Sequence, residues 1–277
     1  MQAGFSLLEA GMVRAKNTKN ILVKIWNESG WLYKLGVVDY GGGIVVHVLG
    51  GTIGLVGTII LGPRLGKFDP ETGKPLVLSE HNIVLSSIGT LLLWFSWYGQ
   101  HPILLGVDIN KGRIASRGEV STTLSGSISM VTSFVITLAM TKRYDLKICI
   151  NGLLAGFVAA SSASGFIAPY YSIIIGVVAS FIFIGFSKLL LRYQIDDPCQ
   201  STSVHFACGI WGAICVGLFA LLFIQLIGVS ATIIWCTVLS YIVFKILKKY
   251  SVLRVDSDIE LTGFDNAHHG GAAYNYR

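Results

Sequence analysis

The chain has 277 residues, of which 53% are hydrophobic and only 13% charged. A soluble domain carries roughly a quarter charged residues, so this composition excludes a soluble enzyme, a disordered chain and a coiled coil. The formal charge of +6 lies between apolar runs, which points to membrane topology and away from nucleic acid.

The stretch from Gly4 to Val13 is apolar but short, and it contains Glu9. A signal peptide is not expected, because the charged start, short apolar core and cleavage pattern are missing. Residues 13–34 carry Arg14, Lys16, Lys19, Lys24 and Lys34. Apolar runs follow at 36–62, 82–98, 121–141, 148–165, 170–191 and 203–244. As a single helix the last would reach about 63 Å, twice the bilayer core. It is therefore read as two spans with a turn near Gln225 and Gly228, which makes seven spans in all. Their richness in Gly, Ala and Ser predicts close helix packing in lipid. Cys149, Cys208, Cys215 and Cys236 lie in or beside apolar runs and Cys199 in a polar segment; they read as small packing residues.

Basic residues set the orientation. Arg64, Lys67 and Lys74 lie in one loop, Lys142, Arg143 and Lys147 in another, and Lys188 and Arg192 in a third. The tail begins with Lys245, Lys248, Lys249 and Arg254. These alternate segments are expected on the cytoplasmic side. Loop 99–120, with Lys111, Arg113 and Arg117, is the exception. The basic segment 13–34 also falls on the wrong side by parity. An odd number of absent spans between about 25 and 36, or a surface-lying amphipathic segment, would account for it.

Two spans share a pattern. Asp39 precedes His47, Gly51 and Gly54 at the spacing at which Asp197 precedes His205, Gly209 and Gly212. The form is Asp-x7-His-x3-Gly-x2-Gly, on spans that run in opposite directions, as in an inverted repeat. An Asp at a helix start can cap exposed N–H groups. Eight residues advance about 12 Å, so each His approaches the midplane of a core ~30 Å thick. An ionisable group there is a functional candidate, although an intramembrane His can also serve only as a hydrogen-bonding neighbour. His81, His101, His268 and His269 fall in loops or the tail and read as solvated.

The segments MQAGFSLLEAGMVRAKNTKNIL, VDYGGGIVVHVLGG, LGPRLGKFD, NGLLAGFVA, DDPCQSTSVHFACGIWG and LTGFDNAHHGGAAY resemble the ammonium transporter (Amt/Mep/Rh) family, with wording similar to its Amt branch. The resemblance implies an all-α fold: a polytopic transmembrane helix bundle with an inverted repeat, assembled as a homotrimer with one pore per subunit. Residues 1–35 would be a remnant of the first span plus a basic segment, 36–244 a bundle of seven spans, and 245–277 a cytoplasmic tail. His47 and His205 match the pore-lining twin histidines, and Trp26 the outer recruitment site. Asp39 matches an acidic residue that supports ion recognition through structure, Asp197 is its counterpart in the repeat, and Trp97 matches a tryptophan beside the pore.

The implied function is ammonium transport in the plasma membrane: recruitment outside by cation–π contact, loss of a proton, and passage of neutral ammonia past the imidazoles. A PII-type regulator at the cytoplasmic face is implied as a possible partner; no cofactor, catalytic residue or metal is expected. The sequence departs from the family in lacking spans two to four, which supply one gate phenylalanine. Gln100 replaces the second gate phenylalanine, Leu104 replaces a recruitment-site serine, Phe206 follows His205 where the family favours Gly, and the last loop between spans is short. Two alternatives stay open on these residues. One is a non-conducting family member or an incomplete gene product; the other is a membrane haem protein, because paired intramembrane histidines can also hold haem.

Overall fold

Glycine, alanine and serine fill many of the helix contacts beside a few large side chains such as Phe157, Phe183 and Trp97, while large apolar residues also cover the outside. The computed structural model describes residues 30–78, 82–105, 112–219 and 222–268; for 100–105, 219, 264 and 265 it describes the backbone. Helix α1 (Trp31–Leu35) stops at Gly36, whose φ of +95° suits glycine. A π-helical turn, Gly43–Val48, continues directly into α2 (Leu49–Leu61). Then come α3 (Ile83–Leu105), α4 (Gly112–Thr141), α5 (Leu146–Ser161) and α6 (Tyr171–Arg192). A second π-helical turn, Thr202–Ala207, leads into α7 (Cys208–Phe219), followed by α8 (Leu222–Lys249) and the short tail helices α9 (Ser257–Thr262) and α10 (Phe264–His268).

Among the described residues, Gly43–Leu61, Gly112–Thr141, Tyr171–Arg192 and Leu222–Lys249 are long and apolar enough to cross a membrane. Ile83–Gly99, Leu146–Ser161 and Thr202–Leu218 are apolar but shorter. The order matches the seven apolar segments read from the sequence, and the chain is an integral membrane protein with a polytopic helical fold. Two boundaries differ. Helix α4 begins nine residues before 121, so Arg113 and Arg117 lie on its first turns. The turn expected near Gln225 and Gly228 is not there, because both lie inside α8 and are buried. Gln225 Nε2 donates to the Val38 carbonyl at 2.8 Å, and a Cβ on Gly228 would come within 2.8 Å of Val37. A polar residue and a glycine looked like a turn but serve helix-to-loop packing.

Helix α4 shows the inward face. Gly118, Ser121, Thr122, Ser125, Gly126, Ser129 and Ser133 are buried at helical spacing, and α4 packs on α5 and α6. Ser125 Oγ donates to the Gly156 carbonyl at 2.8 Å, and Ser180 Oγ donates to the Ser129 carbonyl at 2.9 Å. Side chains this small let backbones approach and hydrogen-bond across helices, which is how helices adhere where lipid offers no hydrophobic drive. Val131 and Val135 on α4, and Leu91, Leu92 and Phe95 on α3, point outward. Cys149, Cys208, Cys215 and Cys236 are buried and Cys199 is exposed, all as free thiols.

The basic segments around Arg64, Lys147, Arg192 and Lys248 meet at one end of the bundle, with Arg113 and Arg117 at the other end of α4. Arg64 forks onto Asp196, Nε to Oδ2 at 2.7 Å and Nη2 to Oδ1 at 3.0 Å. Gln194 Nε2 donates to the Gly73 carbonyl at 3.4 Å. Lys248 Nζ and Arg254 Nη1 donate to the Ile60 and Leu61 carbonyls at the end of α2, where cations offset the helix dipole. The tail folds back: Glu260 accepts from Arg254 Nε and Nη2, each at 2.8 Å, and from the Leu65 N–H at 2.8 Å.

Candidate functional site: a buried histidine pair

The site is built from two loop-to-helix junctions held by one helix. In the first, Asp39 Oδ2 accepts from the N–H groups of Ile44 and Val45, each at 2.9 Å. Its Oδ1 accepts from Ser162 Oγ at 2.8 Å. In the second, Asp197 Oδ2 accepts from the Thr202 N–H at 2.7 Å. Each Asp thus satisfies donors that a helix start leaves open, and each is followed by a π-helical turn that carries the histidine. A π turn widens the helix by one residue, a feature frequent at functional sites.

Helix α5 anchors both junctions. At its C-terminal end the carbonyls of Ser161 and Ser162 accept from the N–H groups of Gly41 (2.8 Å) and Tyr40 (3.1 Å). In its N-terminal half Asn151 Nδ2 donates to Gln200 Oε1 (2.8 Å) and the Cys199 carbonyl (3.2 Å). Helix α5, from Asn151 to the Ser161–Ser162 end, therefore fixes the approach of both histidine-bearing helices.

His47 and His205 meet. Their Nδ1 atoms lie 3.2 Å apart, and the rings stack with centroids 5.2 Å apart and planes 21° from parallel. Trp97 stacks on His47 with centroids 5.2 Å apart at 15°. His47 is 2% exposed, and His205 is half-buried. Ser161 Oγ lies 3.4 Å from His47 Nε2. Behind the stack, Phe157 is fully buried against Trp97 and Trp94.

The repeat's glycines explain the meeting. A Cβ on Gly51 would collide with the backbone of Phe206, the residue after His205. A Cβ on Gly209 would come within 3.0 Å of the Gly43 carbonyl and 3.2 Å of the nitrogen of Val48, the residue after His47. The contacts are reciprocal, as a two-fold relation between the halves requires. Gly212 likewise has no room for a side chain against the Ala159 carbonyl, whereas Gly54 is only in ordinary contact, 4.0 Å from Thr202 Oγ1. The Phe206 ring packs on Phe186, centroids 5.8 Å apart.

Haem does not fit this geometry. A metal held between two histidine nitrogens at about 2.0 Å from each would keep them about 4 Å apart, whereas the facing nitrogens are at hydrogen-bonding distance. No group of three or more His, Cys, Asp or Glu side chains that could hold a metal occurs among the described residues.

Of the residues singled out in the sequence, His47, His205 and Trp97 come together in one stack, while Asp39 and Asp197 hold its flanks. Trp26 lies outside the described residues, as does the basic segment 13–34 up to residue 29, while its Lys34 lies on α1. The side chains of Gln100 and Leu104 are likewise not described. Ser161, Ser162 and Asn151, which hold the site, were not foreseen. The only signal was polar residues inside an apolar run, and many spans here share it.

The model of the family described as Ammonium Transporter Family matches residues 23–274. Ammonium transporter 3 of Dictyostelium discoideum is 39% identical over 275 residues, 90% of this chain and 64% of the relative. Ammonium transporter 1 member 2 of Arabidopsis thaliana is 34% identical over 91% of this chain and 57% of the relative. Among solved structures, a sensor Amt protein superimposes with a TM-score of 0.82 at 28% identity, covering 88% of this chain and 65% of that one. Candida albicans Mep2 does so with a TM-score of 0.75 at 26% identity, covering 84% and 56%. The chain thus spans between 57% and 64% of the length of these two curated relatives.

Proposed function

Because this chain belongs to the Ammonium Transporter Family, we propose that it carries ammonium across a membrane as neutral ammonia, past His47 and His205. The observation that carries this reading is the buried imidazole pair, joined nitrogen to nitrogen at 3.2 Å where two oppositely directed helices cross. Ammonium is costly to strip of water in an apolar passage, whereas ammonia is not charged. A cation is recruited at the outer mouth, where Trp26 offers an aromatic face, and gives up its proton before entry. Potassium has no proton to give up, so the same passage rejects it.

The hydrogen-bond network supplies a direction to the pair. The Ser161 hydroxyl donates its one proton to the Phe157 carbonyl at 2.9 Å. In this reading we assign the proton of His47 to Nε2, so that the Ser161 hydroxyl accepts from it. His47 Nδ1 then accepts from His205 Nδ1–H, and His205 Nε2 keeps a lone pair for a passing N–H donor. Asp39 acts through structure, since both its oxygens are engaged by protein donors. Asp197 plays the same part in the second half, and Trp97 holds the imidazole face. In this reading residues 36–244 form the membrane bundle of a homotrimer in the plasma membrane. The tail from 245 lies at the cytoplasmic face, where a PII-type regulator would dock.

The test is uptake of methylammonium by cells that lack their own ammonium transporters. The chain as it stands should restore uptake, and His47→Ala with His205→Ala should abolish it at equal membrane insertion. Uptake that survives in the double variant sinks the histidine reading. A second reading, a chain that inserts without conducting on its own, is favoured by one observation. The chain covers 64% and 57% of the two curated relatives, so part of their length has no counterpart packed against α3. Inserted wild type that restores no uptake supports that reading.

A further inference from the structure

Where α4 and α6 begin and α5 finishes, three serines lie buried that take no part in the histidine pair. Ser121, Ser164 and Ser172 are each 0% exposed, and none of their hydroxyls has a hydrogen-bond partner among the described residues. A serine or threonine on a helix can donate to the carbonyl one turn back, as Thr122 does to Gly118 on the same helix. Ser121 and Ser172 do not. A buried hydroxyl left without a partner carries its full desolvation cost, so three of them in one region call for a ligand.

The helix register brings the three together. Ser129 Oγ on α4 lies 3.1 Å from Ser180 Oγ on α6, 51 residues on, and Gly176 presses on the Ser125 carbonyl at the same offset. One turn further, that register sets Ser172 opposite Ser121. Helix α5 runs the other way. Ser125 Oγ donates to the Gly156 carbonyl at 2.8 Å, which puts Ala160 beside Ser121. Ser164 stands one turn beyond Ala160, its N–H on that carbonyl at 2.8 Å. Gly118 and Gly165 both press on the Tyr40 ring, so α4 and the turn after α5 are one ring apart there.

We propose that Ser121, Ser164 and Ser172 hold one buried water molecule that ties α4, α5 and α6 together. A hydroxyl both donates and accepts, and a buried water typically makes about three hydrogen bonds to such groups. Three hydroxyls bring no fixed charge, which suits a small neutral ligand and not a cation. The water pins the turn 162–165, and this turn and the end of α5 hold the site. The Ser162 hydroxyl donates to Asp39, and the Ser161 and Ser162 carbonyls accept from the Gly41 and Tyr40 N–H groups. The water is thus a positioning ligand for the first histidine-bearing junction. It stands apart from the transport reading, since it is detected without transport.

The experiment joins a crystal structure of the full chain, grown without ammonium salts at a resolution that shows ordered water, to a double-mutant cycle. A density peak within about 3 Å of at least two of the three hydroxyls is expected. Ser121→Ala and Ser172→Ala should each lower the folding equilibrium in detergent about threefold, and together by clearly less than the product of the two, because the second change finds the water already released. Ser172→Ala should also speed amide exchange at Tyr40 and Gly41, whereas Ser133→Ala, a buried serine three turns along α4, should not. Costs that simply multiply overturn the proposal, as does a site without density whose hydroxyls turn onto their own helix carbonyls. Unchanged exchange at Tyr40 and Gly41 overturns the positioning role. A peak that forms only when ammonium is added would assign the pocket to ammonia and overturn the water.

Discussion

Asp39 directs both carboxylate oxygens at protein donors, and this shows what single residues do here. Ser162→Ala removes the donor to Oδ1 and should destabilise the fold by about 1–3 kcal/mol, the cost of leaving a buried polar group unpaired. A drop in the thermal midpoint in detergent checks this; an unchanged midpoint would mean that water replaces the serine. Asp196 gives a pH prediction. Burial on its own would raise its carboxyl, but hydrogen bonds from the Arg64 side chain and N–H outweigh that and hold it below its ordinary value of 3.8. A depressed carboxylate contributes stability that is fully present above its ordinary value and is lost as pH falls through the lower folded value. Acid should therefore loosen wild type below about pH 4, while Asp196→Asn, less stable at neutral pH, should show a flatter response across that window. Parallel pH profiles for the two proteins would refute the assignment. At this scale the sequence revealed His47, His205, Asp39 and Asp197 through their matched spacing. It could not reveal Ser161 or Ser162, because serines that serve a site and serines that serve helix packing look alike in an apolar run.

Helices meet here by backbone, so the element-scale prediction concerns glycine. Gly51→Val would push a side chain into the Phe206 backbone, and overpacking of this kind costs about 1–3 kcal/mol or more. Gly54→Ala, at a position in ordinary contact, should cost far less. Comparing the two by unfolding in a denaturing detergent separates a required close approach from a general preference for glycine; equal costs would contradict the reciprocal contact. The apolar runs showed the helices and their order, since length and hydropathy suffice for that. They did not show the two π-helical turns, because one extra residue per turn leaves an apolar segment apolar. They also misplaced the start of α8. Gln225 and Gly228 carry the signals of a turn, yet Gln225 satisfies the Val38 carbonyl and Gly228 makes room for Val37. Polarity in a span is ambiguous until its partner is known.

Across the described residues, the four basic segments from Arg64, Lys142, Lys188 and Lys245 onward gather at one end, with Arg113 and Arg117 at the far end of α4, and residues 254–260 fold back over that basic end. Charge parity puts those segments on one side of the membrane, and the ion pair Arg64–Asp196 and the Glu260–Leu65 contact join the loops there. Arg254–Glu260 is partly solvated, so it should contribute only about 0–1 kcal/mol. Glu260→Ala should therefore barely move the global midpoint yet speed proteolysis within 250–262, because the tail loses its hold on Leu65. Equal cleavage rates in wild type and variant would show that other contacts retain the tail. The reciprocal glycine contacts have a wider consequence. Two halves that touch backbone to backbone on their own two-fold axis cannot slide past one another there without collision. What remains open to them is rotation about the contact, with displacement growing towards the two ends of the bundle and vanishing at the imidazoles. The histidine pair sits at the fulcrum of the molecule, so any opening and closing at its ends would leave their 3.2 Å separation almost untouched.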